Sequence, residues 1–377
     1  MINEIYSKSI LRKHKKIDSW FLTHYGMNLY RGCTHNCVYC DGCHEKYNVI
    51  GEFGQDIEVK VNAIDILKRE LDPARKRKTM LKSFILLGGG VCDTYQPAEE
   101  KFHLTRKTLE LIEKYDYPVH VLTKSILIER DIDLLKRINK KNKVVVSFSF
   151  SSTNERISSL FEPGAPSPSR RLEAIKKFKE AGIDCGMFLM PIVPFITDSP
   201  EMLDHTLKDA KNAGIDFVVF GTMTLKEGRQ KEYFKEALKR YFPELGIEYE
   251  KIYPPEHKWG EASHKYIGSV SRIFDECSSR YKIPKRMPPN IYGNILSETD
   301  LVIVILEHLD YLNRLKQRKT PYGYAAYNLF KTGKSLKEIG NGLSSIGGIG
   351  KAAVVIIKEI LDTGTSRQYE DLLFDRT

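Results

Sequence analysis

The 377-residue sequence contains no apolar run of the roughly 18 residues that a membrane-spanning helix requires. Its opening stretch, MINEIYSKSILRKHKKIDSW, has charge but no apolar core and no small-residue cleavage site. It therefore does not read as a secretory signal, and the cytoplasm is the expected location. Internal repeats and low-complexity tracts are also missing. Cysteine is scarce and uneven: there are seven, an odd number, and they are not spread like a disulfide framework. In a reducing compartment, clustered thiols point to a metal or redox site. Acidic residues are outnumbered, 49 against 59 basic ones, which leaves a net charge of +10. Such an excess serves solubility or a polyanionic partner such as nucleic acid. Hydrophobic residues make up 41%, enough for a packed core. The length suits one large α/β domain with an appended module, or two to three domains.

From about residue 58 onward, helical and strand patterns alternate. IEVKVNAIDILKREL has helical apolar spacing and SFILLGGG is a short apolar run ending in glycines. KFHLTRKTLELIEKY is helical, PVHVLTK a strand, ERDIDLLKRINK a helix and KVVVSFSFS a strand. The alternation continues through IDFVVFGTMTL and KEYFKEALKRYF. Buried strand runs between amphipathic helices predict βαβ units and a parallel sheet. Six such repeats are counted, including a first strand just before Cys33, which suits an open or partial barrel. Active groups then belong at the carboxyl ends of the strands. Beyond about Tyr266 the pattern stops. PKRMPPN reads as a proline-rich basic linker, and the remainder is helical.

Cys33, Cys37 and Cys40 follow the first predicted strand at x3 and x2 spacing. Three thiolates in one loop can each hold one iron of a cubane cluster, which leaves a fourth iron open for a small molecule. Zinc is the competing reading, because Cys40 and Cys43 form a second Cys-x2-Cys pair. A closed zinc site, however, usually wants a distant second pair. The other cysteines, Cys92, Cys185 and Cys277, stand alone.

The three-cysteine motif, with Tyr39 before its last member, resembles that of the radical S-adenosylmethionine enzymes. MNLYRGCTHNCVYC, DTYQPAEEKFHLTRKTLEL, VHVLTKS, FEPGAPSPSRRLEAIKKFKEAG and HKWGEASHKYI are similar to the spore photoproduct lyase family, over roughly residues 25–270. The resemblance implies a partial (β/α)6 barrel, a [4Fe-4S] cluster on Cys33, Cys37 and Cys40, and bound S-adenosylmethionine. It also implies a one-electron reductant, such as flavodoxin or ferredoxin, and a thymine-dimer class of DNA lesion as substrate. Carried over residue by residue, Tyr39, Gly88, Gly89, Gly90, Lys124, Ser147, Ser149 and Arg171 are cofactor-binding candidates. Cys92 and Tyr39 are the catalytic candidates, with Cys92 as the hydrogen donor to the product radical. One position departs from the family. Its lyases carry a tyrosine directly after the third cysteine, where this chain has Asp41. Cys43 has no counterpart.

Toward the carboxyl end, seven Lys/Arg and no acidic residue lie between Leu312 and Lys337. The stretch from about Thr320 to Leu373 resembles the helix-hairpin-helix of the small amino-terminal domain of DNA polymerase beta. Gly348, Gly350 and Lys351 are its candidate DNA contacts, because bare N–H groups before a helix suit a phosphate. The relatives' Schiff-base lysine is replaced by Ile356, so DNA binding without abasic-site lyase chemistry is expected. The implied layout is an extension over 1–24, the barrel over 25–270, a linker and helix over 271–310 and an all-α helix-hairpin-helix domain over 311–377. Two other readings remain at this point: radical modification of RNA or another substrate, and a non-catalytic zinc protein that binds nucleic acid.

Overall fold

The computed structural model describes residues 1–75, 79–89, 91–257 and 259–376. Among the described residues ten strands form: β1 (Ile2–Ile5), β2 (Leu11–Asp18), β3 (Thr23–Met27), β4 (Tyr30–Arg31), β5 (Ile57–Lys60), β6 (Phe84–Leu87), β7 (Val119–Thr123), β8 (Val144–Phe150), β9 (Asp184–Ile192) and β10 (Phe217–Thr222). Seven of them make one sheet in the order β10-β9-β8-β7-β6-β3-β2. From β3 to β10 all neighbours are parallel, which gives six parallel strands, and β2 is antiparallel to β3. Runs such as VVVSFSF in β8 are buried almost throughout because helices cover the sheet's outer face. The sheet curls into a half-barrel, with helices such as Leu104–Tyr115, Pro168–Glu180 and Pro200–Ala213 between its strands.

Three expectations change. The first parallel strand is β3, not the run beside Cys33. The two residues there, β4, pair with β5 in a small second sheet of order β1-β5-β4. IEVKVNAIDILKREL splits into β5 and the helix Ala63–Glu70, since IEVK carries two β-branched residues and finds partners on both sides. PKRMPPN is no exposed linker. Pro284 accepts a hydrogen bond from Val218 N (2.8 Å) at the outer edge of β10. Lys285 is fully buried, with Asp275 at 2.8 Å and Asp375 at 2.9 Å, and the Arg286 guanidinium lies 3.3 Å from the Tyr311 ring centre. A buried cation must be paired or stacked in this way.

The carboxyl-terminal helices are Glu298–Leu315, Tyr322–Lys331, Leu336–Ile339, Lys351–Thr363 and Arg367–Leu373. Ser297 caps the first of them by accepting from Asp300 N. Eleven residues of that helix are buried, so it lies between β2 and the other helices. One apolar core runs without a break from the half-barrel into these helices. Residues 1–24 likewise belong to the main body, because β2 is a strand of the large sheet. Among the described residues no helix is long and apolar enough to cross a membrane.

His308 joins the two regions. Its Nε2 meets the Ser19 carbonyl oxygen and its Nδ1 meets the Tyr369 hydroxyl, both at 2.8 Å. Burial, with the Arg286 charge nearby, pulls it down to about 3. His120 inside the sheet is pulled down by burial to about 4. Both are neutral in the folded protein, while the unfolded chain binds their protons below about pH 6.5. Their stabilisation is complete above that pH and is lost as pH falls toward 3. Urea unfolding should therefore show stability declining from about pH 6.5 downward, by up to about 1.4 kcal/mol per pH unit for each histidine. His308→Gln should flatten its share of that slope. An unchanged slope would remove His308 as a source of it.

Candidate active site

The cysteine loop is built from successive tight turns. Cys40 N donates to Cys37 O (3.0 Å) and Cys43 N to Cys40 O (3.1 Å). Gly32 opens the loop at φ +78, where a Cβ would lie 2.6 Å from the Asp56 carbonyl oxygen, so only glycine fits. Two segments clamp the loop from outside. Gln96 donates to Gly32 O (3.0 Å) and accepts from Thr34 N (3.2 Å). On the other side, Val38 N donates to Phe161 O (2.9 Å), His35 Nδ1 meets Gly164 O (3.0 Å), and the Tyr39 hydroxyl donates to Glu162.

Cys33, Cys37 and Cys40 line one cavity of about 400 Å³ at the carboxyl ends of the strands. Gly88 after β6, Thr123 and Lys124 at β7, Ser149 in β8, Met190 and Pro191 in β9, and Gly221 and Thr222 in β10 complete its wall, with Cys92, Asp93 and Tyr39. This is where α/β sheets place their ligands. Gly88, at φ +82, would clash with Leu122 O at 2.2 Å if it carried a Cβ. Gly89 is exposed and a Cβ there would make only ordinary contacts, with Leu86 at 3.9 Å and Asn28 at 4.0 Å, but Gly89 does not line the cavity. Gly90 lies outside the described residues. Lys124 Nζ donates to Ser149 Oγ (2.5 Å) and stands 3.7 Å from Glu162 Oε1. Cys92 Sγ donates to Tyr30 O (3.4 Å), and burial pushes its thiol up to about 12.

Other candidates lie elsewhere. Ser147 shares the face of Ser149 but is buried deeper, on His120 Nε2 (2.8 Å), and does not line the cavity. Arg171 is no surface charge: it is wholly buried, donates to Ser149 O (2.6 Å) and Glu162 Oε2 (2.5 Å), and lies over the Phe150 ring. It too stands off the cavity wall, which it reaches only through Ser149 and Glu162. Cys43 faces away, with its sulfur 3.8 Å from Arg229 O. Gly348, Gly350 and Lys351 lie in the carboxyl-terminal hairpin, in a different part of the molecule from the cavity wall.

The residues not anticipated from the sequence are acids. Glu162 is buried and accepts from Tyr39, Arg171, Ser151 and Ser158. Burial alone would raise its pKa. The Arg171 and Lys124 charges, with the bonds from Tyr39 and Arg171, outweigh burial and bring it to about 2. Asp93 accepts from Thr123 Oγ1 and Lys124 N, both 2.6 Å, and its Oδ2 lies 3.2 Å from His35 Nε2, off hydrogen-bond alignment. Burial would raise Asp93, but the His35 charge and these donors hold it below the usual carboxylate range. Asp41 is tied to Lys226 and to the Tyr47 hydroxyl (2.6 Å).

No three His, Cys, Asp or Glu side chains among the described residues converge on a single-ion site. Three thiols spread around one cavity, with Cys43 turned away, fit a multi-iron cluster better than a closed zinc site, since a cluster puts each thiolate on its own iron. Burial raises all three thiols, so iron binding there must release protons.

A family model described as the radical SAM superfamily matches residues 27–207. An uncharacterised protein of Mycobacterium tuberculosis is 31% identical over 233 residues, covering 61% of this chain and 67% of that protein. One from Methanocaldococcus jannaschii is 31% identical over 223 residues, covering 58% and 77%. This chain belongs to the radical SAM superfamily. The cofactors of this radical SAM protein are accordingly a [4Fe-4S] cluster and S-adenosylmethionine. Among solved structures, spore photoproduct lyase complexed with dinucleoside spore photoproduct shares its fold, with a TM-score of 0.56 at 17% identity over 74% of this chain and 79% of the other.

Anaerobic reconstitution should load close to four irons and four sulfides per chain, as expected for one such cluster. Cys33→Ala, Cys37→Ala and Cys40→Ala should each lose the visible absorbance of the cluster, and Cys43→Ala should keep it. Loss of the cluster in Cys43→Ala alone would overturn the ligand assignment.

Proposed function

We propose that this radical SAM enzyme repairs a base lesion in DNA of the thymine-dimer class. The carrying observation is Cys92, a fourth thiol on the wall of the cavity that the three loop cysteines line. Bound at the loop, a reduced cluster with S-adenosylmethionine supplies a 5′-deoxyadenosyl radical. The chain's own groups do the rest. Lys124 would hold the methionine carboxylate of that cofactor, and backbone beside Gly88 would receive its amino group, with Gly89 next to it. Ser149 holds Lys124 in place, and Glu162 keeps Tyr39 and Lys124 in register. Cys92 gives the hydrogen atom of its S–H bond to the substrate radical and is left as a thiyl radical. One electron from a flavodoxin- or ferredoxin-like reductant and a proton return it to the thiol. A buried thiol suits this role because it stays protonated. The fold shared with spore photoproduct lyase supports this reading, although Asp41 departs from that family. A one-electron reductant of the flavodoxin or ferredoxin kind supplies the electron.

The test is anaerobic incubation of reduced protein with S-adenosylmethionine and ultraviolet-irradiated DNA, with mass analysis of the products. Restored thymines are expected. Cys92→Ala should still cleave S-adenosylmethionine and attack the lesion, but give adducts or poor turnover. Cleavage of S-adenosylmethionine with untouched DNA, and modification of RNA instead, would sink the DNA reading.

We further propose that the carboxyl-terminal hairpin grips DNA phosphate. Gly348 sits at φ +82 against Tyr324 and Asn328, and Gly350 caps the helix Lys351–Thr363 without a side-chain bond to its first N–H groups. Lys351 is exposed beside them. Ile356 is buried in the core, in keeping with binding that lacks lyase chemistry. Gly350 has an ordinary φ of −77, and nothing lies within 4 Å of where its Cβ would stand, so Gly350→Val should fold. It should weaken DNA binding and lower the salt slope by about one unit per lost phosphate contact, equally on damaged and undamaged duplex. Unchanged affinity and slope in a folded Gly350→Val protein would exclude the hairpin as the grip.

A further inference from the structure

One aromatic residue of the cavity lining, Trp20, carries no part of the chemistry above. Trp20 lies in the turn between β2 and β3, and it lines the same cavity as the loop cysteines. Phe21 beside it stacks on Phe188 of β9 at 4.7 Å, which anchors the turn within the curl of the sheet. The Trp20 ring reaches toward β10: its Cη2 lies 3.8 Å from where a Cβ on Gly221 would stand. The ring therefore spans from one edge strand of the half-barrel toward the other, where the sheet fails to close. It keeps 39% of its surface exposed.

The ring is held from behind. The Arg286 guanidinium lies over it at 5.7 Å and over Tyr311 at 3.3 Å. Arg286 is 3% exposed, and among the described residues no carboxylate pairs with it; it donates to Lys285 O (2.9 Å). A desolvated guanidinium between two rings is a strong cation–π arrangement. It braces an indole that lines the same cavity as Met190 and Pro191. Such rigid, pre-set aromatic surface binds flat rings at low entropic cost.

We propose that Trp20 is the stacking platform for a nucleobase in this cavity. The inference rests on the reading of the site as a radical enzyme acting on nucleic acid. The base has two chemical sources, a base of the substrate or the adenine of S-adenosylmethionine, and the experiment separates them. Trp20 and Trp259 are the chain's two tryptophans, so Trp259→Phe leaves Trp20 as the sole indole reporter. Cluster-loaded Trp259→Phe protein is titrated with a thymidine dinucleotide and, separately, with S-adenosylhomocysteine, and binding is measured in parallel by equilibrium dialysis. Saturable quenching of Trp20 emission is expected. Quenching by the dinucleotide with S-adenosylhomocysteine already saturating assigns the platform to substrate. Quenching by S-adenosylhomocysteine alone assigns it to the cofactor's adenine.

In the same background, Trp20→Ala should weaken the quenching ligand by about 5- to 150-fold. Trp20→Leu keeps apolar bulk without a π face and should lose as much, while Trp20→Phe should stay within about threefold of the parent. Circular dichroism melts confirm that each variant is folded. Emission that does not move while dialysis records binding, or a Trp20→Leu protein with parental affinity, overturns the platform and leaves the reading of function standing. Parent protein that binds neither ligand overturns both.

Discussion

The buried carboxylate of Glu162 is the contact on which the rest of the site depends. It ties Tyr39 of the cysteine loop to Arg171 of the helix Pro168–Glu180, and it stands beside Lys124 at the end of β7. Three separate segments thus converge on one charge. Withdrawing that charge from water is costly unless each oxygen is satisfied, and here both are: Oε1 faces Tyr39, Ser151 and Lys124, and Oε2 faces Arg171 and Ser158. Removing one partner would leave charge stranded in the core, so these segments hold their relative positions or none does.

Asp93 does the corresponding work on the opposite side. It fastens the turn after β6 to β7 through Thr123 and Lys124 N, next to His35 of the loop. The cysteine loop is anchored twice, by the apolar cluster that buries Cys37, Val38 and Tyr39 with Phe161 and Phe234, and by polar clamps supplied by residues 93–96 and 161–164. Its sulfur atoms are thereby presented by a frame that is already rigid, which is what a metal site requires of its surroundings.

Much of this was legible in the residues. Alternating strand and helix patterns give the number of parallel strands and place the five from β6 to β10, and x3 and x2 spacing singles out the three loop thiols among the four that line the cavity. The rest was hidden for physical reasons. IEVK was absorbed into a helical pattern because its partners, β1 and β4, are too short to announce themselves. PKRMPPN has the composition of a linker, and the burial of Lys285 and Arg286 depends on Asp275, Asp375 and Tyr311, all distant in sequence. Arg171 and Ser147 were placed near the cofactor by position along the chain, but orientation takes both off the cavity wall. Glu162 and Asp93 lie inside recognisable motifs, yet a lone acid shows no sign of burial until its partners are assembled.

The support of Trp20 by Arg286 and Tyr311 has a consequence for biosynthesis. Every residue on the cavity wall, from Trp20 to Thr224, leaves the ribosome before the two that brace its aromatic side. Because one apolar core joins the half-barrel to those helices and domains fold as units, a chain that stops short of Arg286 holds every lining residue and still lacks the brace that makes the chamber.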